Sequence, residues 1–185
     1  APGSANAYSN SGYTLLAAIV EDVAGSTFPQ YLRTRLFEPA MMLDSGVYGD
    51  ATWSDAAVGY GEDTFGCNSP DCWPAPSWAL MGNGGLVSTP ADLARWSAAV
   101  AAGVPFDAAT RDAWRRDVLS GGITIADAEV LAFSGRNDFG FGAAIAEVPA
   151  RGTTIVVASN EAGAYESTLL LAQLLQMTLG ELLEL

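Results

Sequence analysis

Apolar residues near the start of the chain recur with a helical period. Four of them follow the spacing i, i+3, i+4 and i+7: Leu16, Ile19, Val20 and Val23. This spacing aligns the side chains on one face of a helix. We therefore predict a helix over residues 12–25 that carries one apolar stripe and stops at Gly25.

Capping residues indicate three further helices. Thr27 begins one of them, because Gln30 follows three residues later as in a capping box, and Pro39 ends it. The run 89–92 begins another with a capping threonine, a proline at the first position and an acid at the third. Asp107 caps a shorter helix that is predicted to reach about residue 119.

The pattern after residue 120 changes from a helical period to strand-like runs. Three strands are predicted, with a turn at 150–152 between the last two: 123–133, 139–148 and 153–159. A closing helix over 165–183 is apolar on most sides. Three strands cannot cover so much apolar surface, so we expect part of the fold to lie outside these residues.

The order of these elements predicts an α+β fold rather than a parallel α/β one. Residues 41–81 show no sustained period and are predicted to form a long irregular excursion, and Gly84 and Gly85 indicate a turn after it. With 185 residues, half of them hydrophobic, the chain suits one domain. About 1–120 would be a helical lobe with the excursion, and about 121–185 the strands and the closing helix.

The charged residues limit the partners and the chemistry. The formal net charge of −13 argues against nucleic acid and anionic lipid as partners. Histidine and lysine are absent, and all eight basic residues are arginines. Arginine stays protonated in proteins, so this sequence offers no side chain of the type that serves as the base in Ser-His or Ser-Lys systems. No stretch predicts a membrane span.

Cys67 and Cys72 are the only cysteines and enclose a short polar loop. With two thiols and no histidine, a zinc site is not expected, and no metal or cofactor is predicted. A disulfide between the two is one interpretation, and two reduced thiols in a loop are the other. The disulfide would place the protein in an oxidising compartment, either periplasmic or secreted.

Several blocks resemble the serine β-lactamase and penicillin-binding family in the order that the family has them. Tyr8-Ser9-Asn10 opens the run 8–16, which is similar to the second family motif. The runs 84–95 and 154–160 are similar to later blocks. The resemblance covers about half of the chain and is closest to the class C branch with its esterases, D-aminopeptidases and carboxypeptidases. It implies a β-lactamase-like fold that is incomplete at the N-terminus.

The resemblance also implies which residues line an acyl-transfer pocket. Tyr8 matches the tyrosine that moves protons, and Asn10 matches the asparagine that holds the acyl side chain. The third motif fits best at Ser134, Gly135 and Arg136, where the amide of Arg136 would donate to the oxyanion. The alternatives are a buried tyrosine, a helix-capping asparagine and ordinary strand or turn residues.

Two departures from the family pattern stand out. Phe133 occupies the place of a lysine or histidine, which argues against tight binding of carboxylate-bearing β-lactams unless the Arg136 guanidinium replaces the lost charge. The Ser-x-x-Lys element with the nucleophile is absent, since there is no lysine. We therefore expect these residues to be the C-terminal portion of a serine acyl hydrolase and inactive alone.

Parent substrates implied by the resemblance are esters, β-lactams or D-amino-acid peptides. Two other interpretations stay open: a non-catalytic protein that binds peptidoglycan-like ligands, and a piece that pairs with a second chain through its exposed core surface.

Overall fold

The computed structural model describes residues 4–5, 7–50, 53, 55–61, 68–73, 77–117, 123–125, 128–161 and 177. Helices and two antiparallel sheets alternate along the chain, which confirms the α+β class. The helices are α1 (Asn10–Ala24), α2 (Phe28–Leu32), which continues as a π-helical turn (Arg33–Phe37), α3 (Pro90–Ala101) and α4 (Ala108–Asp117). The strands are β1 (Gly46–Val47), β2 (Leu86–Val87), β3 (Ile123–Ile125), β4 (Ala128–Arg136), β5 (Gly142–Val148) and β6 (Thr153–Ser159).

The helix ends follow the capping chemistry of the sequence. Thr27 accepts a hydrogen bond from the Gln30 amide, and Thr89 accepts one from the Asp92 amide. Asp107 accepts one from the Thr110 amide at 2.8 Å, and this bond lowers the pKa of the Asp107 carboxyl. Each bond satisfies an amide that has no partner inside its helix. The predicted beginnings of α2, α3 and α4 are therefore confirmed.

The helix predicted near the start of the chain is present as α1, and its apolar stripe is mostly exposed. Ala17 is the buried residue of this helix, whereas Leu16, Ile19 and Val23 are exposed and Val23 reaches 80%. The physical reason is that α1 packs through its other side. A Cβ at Gly82 would lie 2.8 Å from the Ala17 Cβ, so the backbone at Gly82 sits directly against that side. Within the described residues, the apolar stripe of α1 has no cover.

The larger sheet has four strands in the order β3-β4-β5-β6, all antiparallel. The single strand predicted over 123–133 is wrong, because β3 and β4 form a hairpin in which Ile125 lies opposite Ala128. The next strand starts at Gly142 instead of residue 139, since a turn with Gly140 at φ 101° precedes it. The predicted helix over 165–183 lies outside the described residues apart from Met177.

Two hydrophobic clusters form the described core. One lies on a single face of the large sheet and consists of Val130, Ala144, Ala146, Val148 and Val157. The other joins α1, α2 and the small sheet β1-β2, with Leu32, Phe37, Met42, Val47, Tyr48 and Met81 among its members. The helical lobe with the small sheet and the large sheet thus have separate clusters of buried residues. No helix of the described chain is both long and apolar enough to cross a membrane.

A buried polar group connects α3 to the large sheet. Glu147 of β5 is almost fully buried and accepts a short hydrogen bond from the Ser97 hydroxyl of α3. Ser97 also contacts the Thr154 hydroxyl at 3.1 Å, and the Arg115 guanidinium lies 3.5 Å from the second Glu147 oxygen. A buried carboxylate is tolerated only when such partners satisfy it, so this group fixes α3 against β5 and β6.

The excursion reaches the sheet at the turn between β4 and β5. Gly59 and Gly61 approach the backbone of this turn so closely that a Cβ on either would collide with it. Asn160 holds the same segment by donating to the Val58 carbonyl at 2.9 Å and accepting from the Tyr60 amide at 2.7 Å. The described part of the excursion is therefore anchored beside the end of β4.

Candidate functional site

Tyr8 and Asn10 lie together on the surface where α1 begins. The Tyr8 hydroxyl donates to Asn10 Oδ1 at 2.7 Å, and the Tyr8 side chain is 81% exposed. Ser9 caps the helix by accepting from the Gly12 amide at 3.0 Å, and Asn10 is the first helical residue. The alternatives of a buried tyrosine and a capping asparagine are therefore wrong.

The turn before β2 holds the first turns of α1 in place. Asn83 Nδ2 donates to the Thr14 hydroxyl at 3.0 Å, and that hydroxyl donates to the Trp78 carbonyl at 3.3 Å. The predicted turn is present, with the Gly85 amide donating to the Leu80 carbonyl. Asn83 therefore fixes the beginning of α1, the helix that starts at Asn10. Sequence reasoning missed it, although it stands between glycines, where a fixed turn is expected.

Replacing Gly82 with alanine is expected to destabilise the protein by about 2 kcal/mol or more. Gly82 has φ 80°, and a Cβ there would lie 2.5 Å from the Tyr13 carbonyl oxygen. Gly84→Ala is the matched control, because its Cβ would meet only Leu80 at 3.8 Å. Urea unfolding of both variants measures the difference. Equal stability of the two variants would contradict the close packing of α1 on this turn.

The third predicted motif lies at the exposed end of β4. Ser134, Gly135 and Arg136 pair with Ala144, Ala143 and Gly142 of β5, and all three motif residues are exposed. The β3 pairing stops at Val130. No described strand therefore lies beside residues 131–136 on the edge opposite β5.

The two predicted halves of the site stand on different elements. Asn10 is the first residue of α1, which packs mainly on α2, and Tyr8 lies two residues before it, while residues 134–136 belong to β4 between β3 and β5. A hydrogen bond joins Tyr8 to Asn10. That β4 lies close to this pair stays a prediction. Cys67 lies outside the described residues, so its pairing with Cys72 also stays a prediction. No group of three potential metal ligands occurs in the part of the chain that is described.

Helices beside an antiparallel sheet agree with the fold that the resemblance to the serine β-lactamase and penicillin-binding class implies. The family model described as Beta-lactamase matches residues 1–178, and the chain belongs to this family. A 41-residue segment is 44% identical to penicillin-binding protein 4* of Bacillus subtilis (strain 168), covering 22% of this chain and 9% of that protein.

Solved structures show the same fold. An octameric penicillin-binding protein homologue from Pyrococcus abyssi matches with a TM-score of 0.76 at 22% identity, covering 97% of this chain and 44% of that one. D-amino acid amidase from Ochrobactrum anthropi SV3 matches with a TM-score of 0.67 at 25% identity, covering 90% and 53%. D-alanine carboxypeptidase AmpC from Burkholderia cenocepacia matches with 0.67 at 19%, covering 91% and 60%. The chain thus spans about half the length of these structures.

Proposed function

We propose that this chain supplies the proton-transfer and substrate-holding side of a serine acyl hydrolase whose nucleophile lies on a segment outside these 185 residues. The observation that carries this proposal is the exposed hydrogen bond between Tyr8 and Asn10 at the start of α1. Both side chains are open to a partner or substrate, and neither serves the described core.

Each group has a role that its chemistry allows. The Tyr8 hydroxyl would relay a proton between the serine and the leaving group, which requires a neighbouring cation because an ordinary tyrosine has a pKa near 10. Asn10 uses Oδ1 toward Tyr8, which leaves its amide N–H groups for an acyl carbonyl. The backbone of β4 near Arg136 would donate to the oxyanion, because preorganised amides stabilise the charge that develops there.

Three observations support a nucleophile outside the sequence. The chain contains no lysine or histidine, and so no Ser-x-x-Lys element. It matches only about half of the solved relatives. The stripe on α1 exposes apolar surface that a further part of the fold would cover.

The substrate would be an ester, a β-lactam or a D-amino-acid amide or peptide. Support comes from the neighbours, which are a D-amino acid amidase and a D-alanine carboxypeptidase by name.

We place the protein in the periplasm or outside the cell, with a disulfide between Cys67 and Cys72. Mass spectrometry after maleimide treatment without reductant tests the disulfide: two added labels would contradict it.

A fluorescent fluorophosphonate, which labels an activated serine and carries no carboxylate, tests the proposal directly. The 185-residue chain is expected to remain unlabelled, because it lacks the serine and lysine that form the acyl-enzyme. The same chain extended by the segment encoded before Ala1 is expected to be labelled at a serine of that segment. Labelling of the 185-residue chain would contradict the placement of the nucleophile. An unlabelled extended protein would favour a non-catalytic ligand-binding role instead.

A further inference from the structure

We propose that Phe133 is a specificity-determining residue that makes this site select uncharged, apolar ligands over carboxylates. This inference rests on the proposed function, and in particular on the assignment of β4 to the substrate pocket. It adds the chemical class of the group that lies against the strand.

The first observation is the position of Phe133 in the sheet. Its cross-strand neighbours are Ile145 on β5 and then Val156 on β6. Paired residues of neighbouring strands project to the same face, so this row lies on the face opposite the cluster around Val130 and Ala132. Phe133 remains 52% exposed and belongs to neither core cluster. The Phe133 ring is therefore exposed apolar surface that packs in neither described core cluster.

The second observation is the open space at Gly135. Its φ lies outside the left-handed region, and a Cβ added there would meet nothing within 4 Å. Neither backbone strain nor packing in the described structure requires a glycine at this position. A glycine inside a strand commonly marks a place where a ligand or another backbone approaches closely. Gly135 lies two residues from Phe133, on the same face of the strand.

The third observation is the edge of the same residues, along which the described part of the chain places no strand. With β3 pairing only as far as Val130, residues 131–136 have no described strand on the edge away from β5. Backbone amides and carbonyls on such an edge can bind an extended amide ligand. The strand edge, Gly135 and the Phe133 ring thus all lie within residues 131–136 of β4.

The charges of this stretch do not favour an anion. Arg136 and Asp138 give residues 133–138 no net charge, and the whole chain carries −13. A carboxylate would lose hydration against the Phe133 ring. Arg136 lies three residues along β4, so it projects from the opposite face of the strand, and the net charge would repel an anion at long range. A neutral amide would keep its backbone hydrogen bonds and gain apolar contact.

Two ligands that differ only in this charge test the inference. N-acetyl-D-phenylalanine amide and N-acetyl-D-phenylalanine are titrated into the ¹⁵N-labelled chain, and the amide signals of residues 134–136 are followed. We expect the neutral amide to bind about 10-fold more tightly and to shift these signals. Equal or tighter binding of the acid, or no shift of residues 134–136 by the amide, would overturn the assignment.

Two variants separate charge from apolar contact. Phe133→Lys is expected to remove the preference or reverse it, a change of about 10-fold or more in the affinity ratio, while Phe133→Leu keeps it. If Phe133→Lys left the affinity ratio unchanged, the role of Phe133 would be wrong. Circular dichroism melting confirms that each variant is folded, which is expected at an exposed position.

The failure of this inference differs from the failure of the proposed function. If the extended protein forms an acyl-enzyme but the chain prefers the acid, the acyl-transfer site stands and the role of Phe133 falls. If the neutral ligand is preferred but no acyl-enzyme forms, the β4 surface is a ligand site without that chemistry.

Discussion

Replacing Tyr8 with phenylalanine in the protein that carries the Ser-x-x-Lys segment is expected to slow acyl transfer by about 100-fold or more. The substitution removes the hydroxyl that donates to Asn10 and keeps the ring. Since Tyr8 is 81% exposed, the loss of stability should be small. The effect should fall on kcat, with KM little changed, because the hydroxyl acts in the transition state.

Tyr13→Phe is the matched control for this measurement. Tyr13 is also exposed, lies in the first turns of α1 and places its ring centre 6.2 Å from that of Tyr8. It should retain turnover within about twofold, because no proton-transfer role is assigned to it. Burst kinetics with a chromogenic ester or β-lactam separate acylation from deacylation. A Tyr8→Phe enzyme that also acylates within twofold of the unchanged protein would refute the role of Tyr8.

The second large effect is expected at Asp92, where alanine should destabilise the fold by about 3 kcal/mol or more. The Asp92 carboxylate has no exposed surface and accepts three hydrogen bonds. The donors are the Asp44 amide at 2.8 Å, the Ser45 hydroxyl at 2.7 Å and the Arg95 guanidinium at 2.5 Å. Removing the carboxylate leaves the Asp44 amide and the Ser45 hydroxyl without this acceptor.

The guanidinium accounts for little of this effect. Arg95 is about half exposed and can be hydrated once Asp92 is gone. Asp92→Asn keeps an acceptor oxygen and should lose less, about 1–3 kcal/mol. Asp112→Ala is the control, because Asp112 forms an exposed pair with Arg111 and should change stability by less than about 1 kcal/mol.

Urea unfolding monitored by tryptophan fluorescence measures all three Asp variants. If Asp92→Ala were no less stable than Asp112→Ala, the buried carboxylate would not be what joins the start of α3 to the segment before β1.

Local chemistry explains why much of the fold could be predicted. A cap involves residues within three positions of each other, so Thr27, Thr89 and Asp107 identified the beginnings of three helices correctly. The ordered blocks from Tyr8 to Asn160 likewise predicted a family that the match over residues 1–178 confirms. Neither prediction depends on which helices and strands pack against each other.

The errors arose where distant parts of the chain decide the outcome. The spacing of Leu16 and Ile19 predicted one apolar stripe but not its neighbours: the turn at Gly82 and α2 occupy the other side of α1, and the stripe stays exposed. Helical period shows that residues share a face, not which neighbour covers it. The run 123–133 could not reveal its reversal, since both β3 and β4 are strand-like.

The sequence by itself determined the caps, the family and the absence of lysine and histidine, because these depend on residue identity or on neighbours within one turn. Only the tertiary structure decided that Asp92 and Glu147 are buried acceptors, that Asn83 supports α1, and that Gly135 has open space beside it. Such contacts join residues about 50 or more positions apart, and their partners are chosen by packing, which no local pattern encodes.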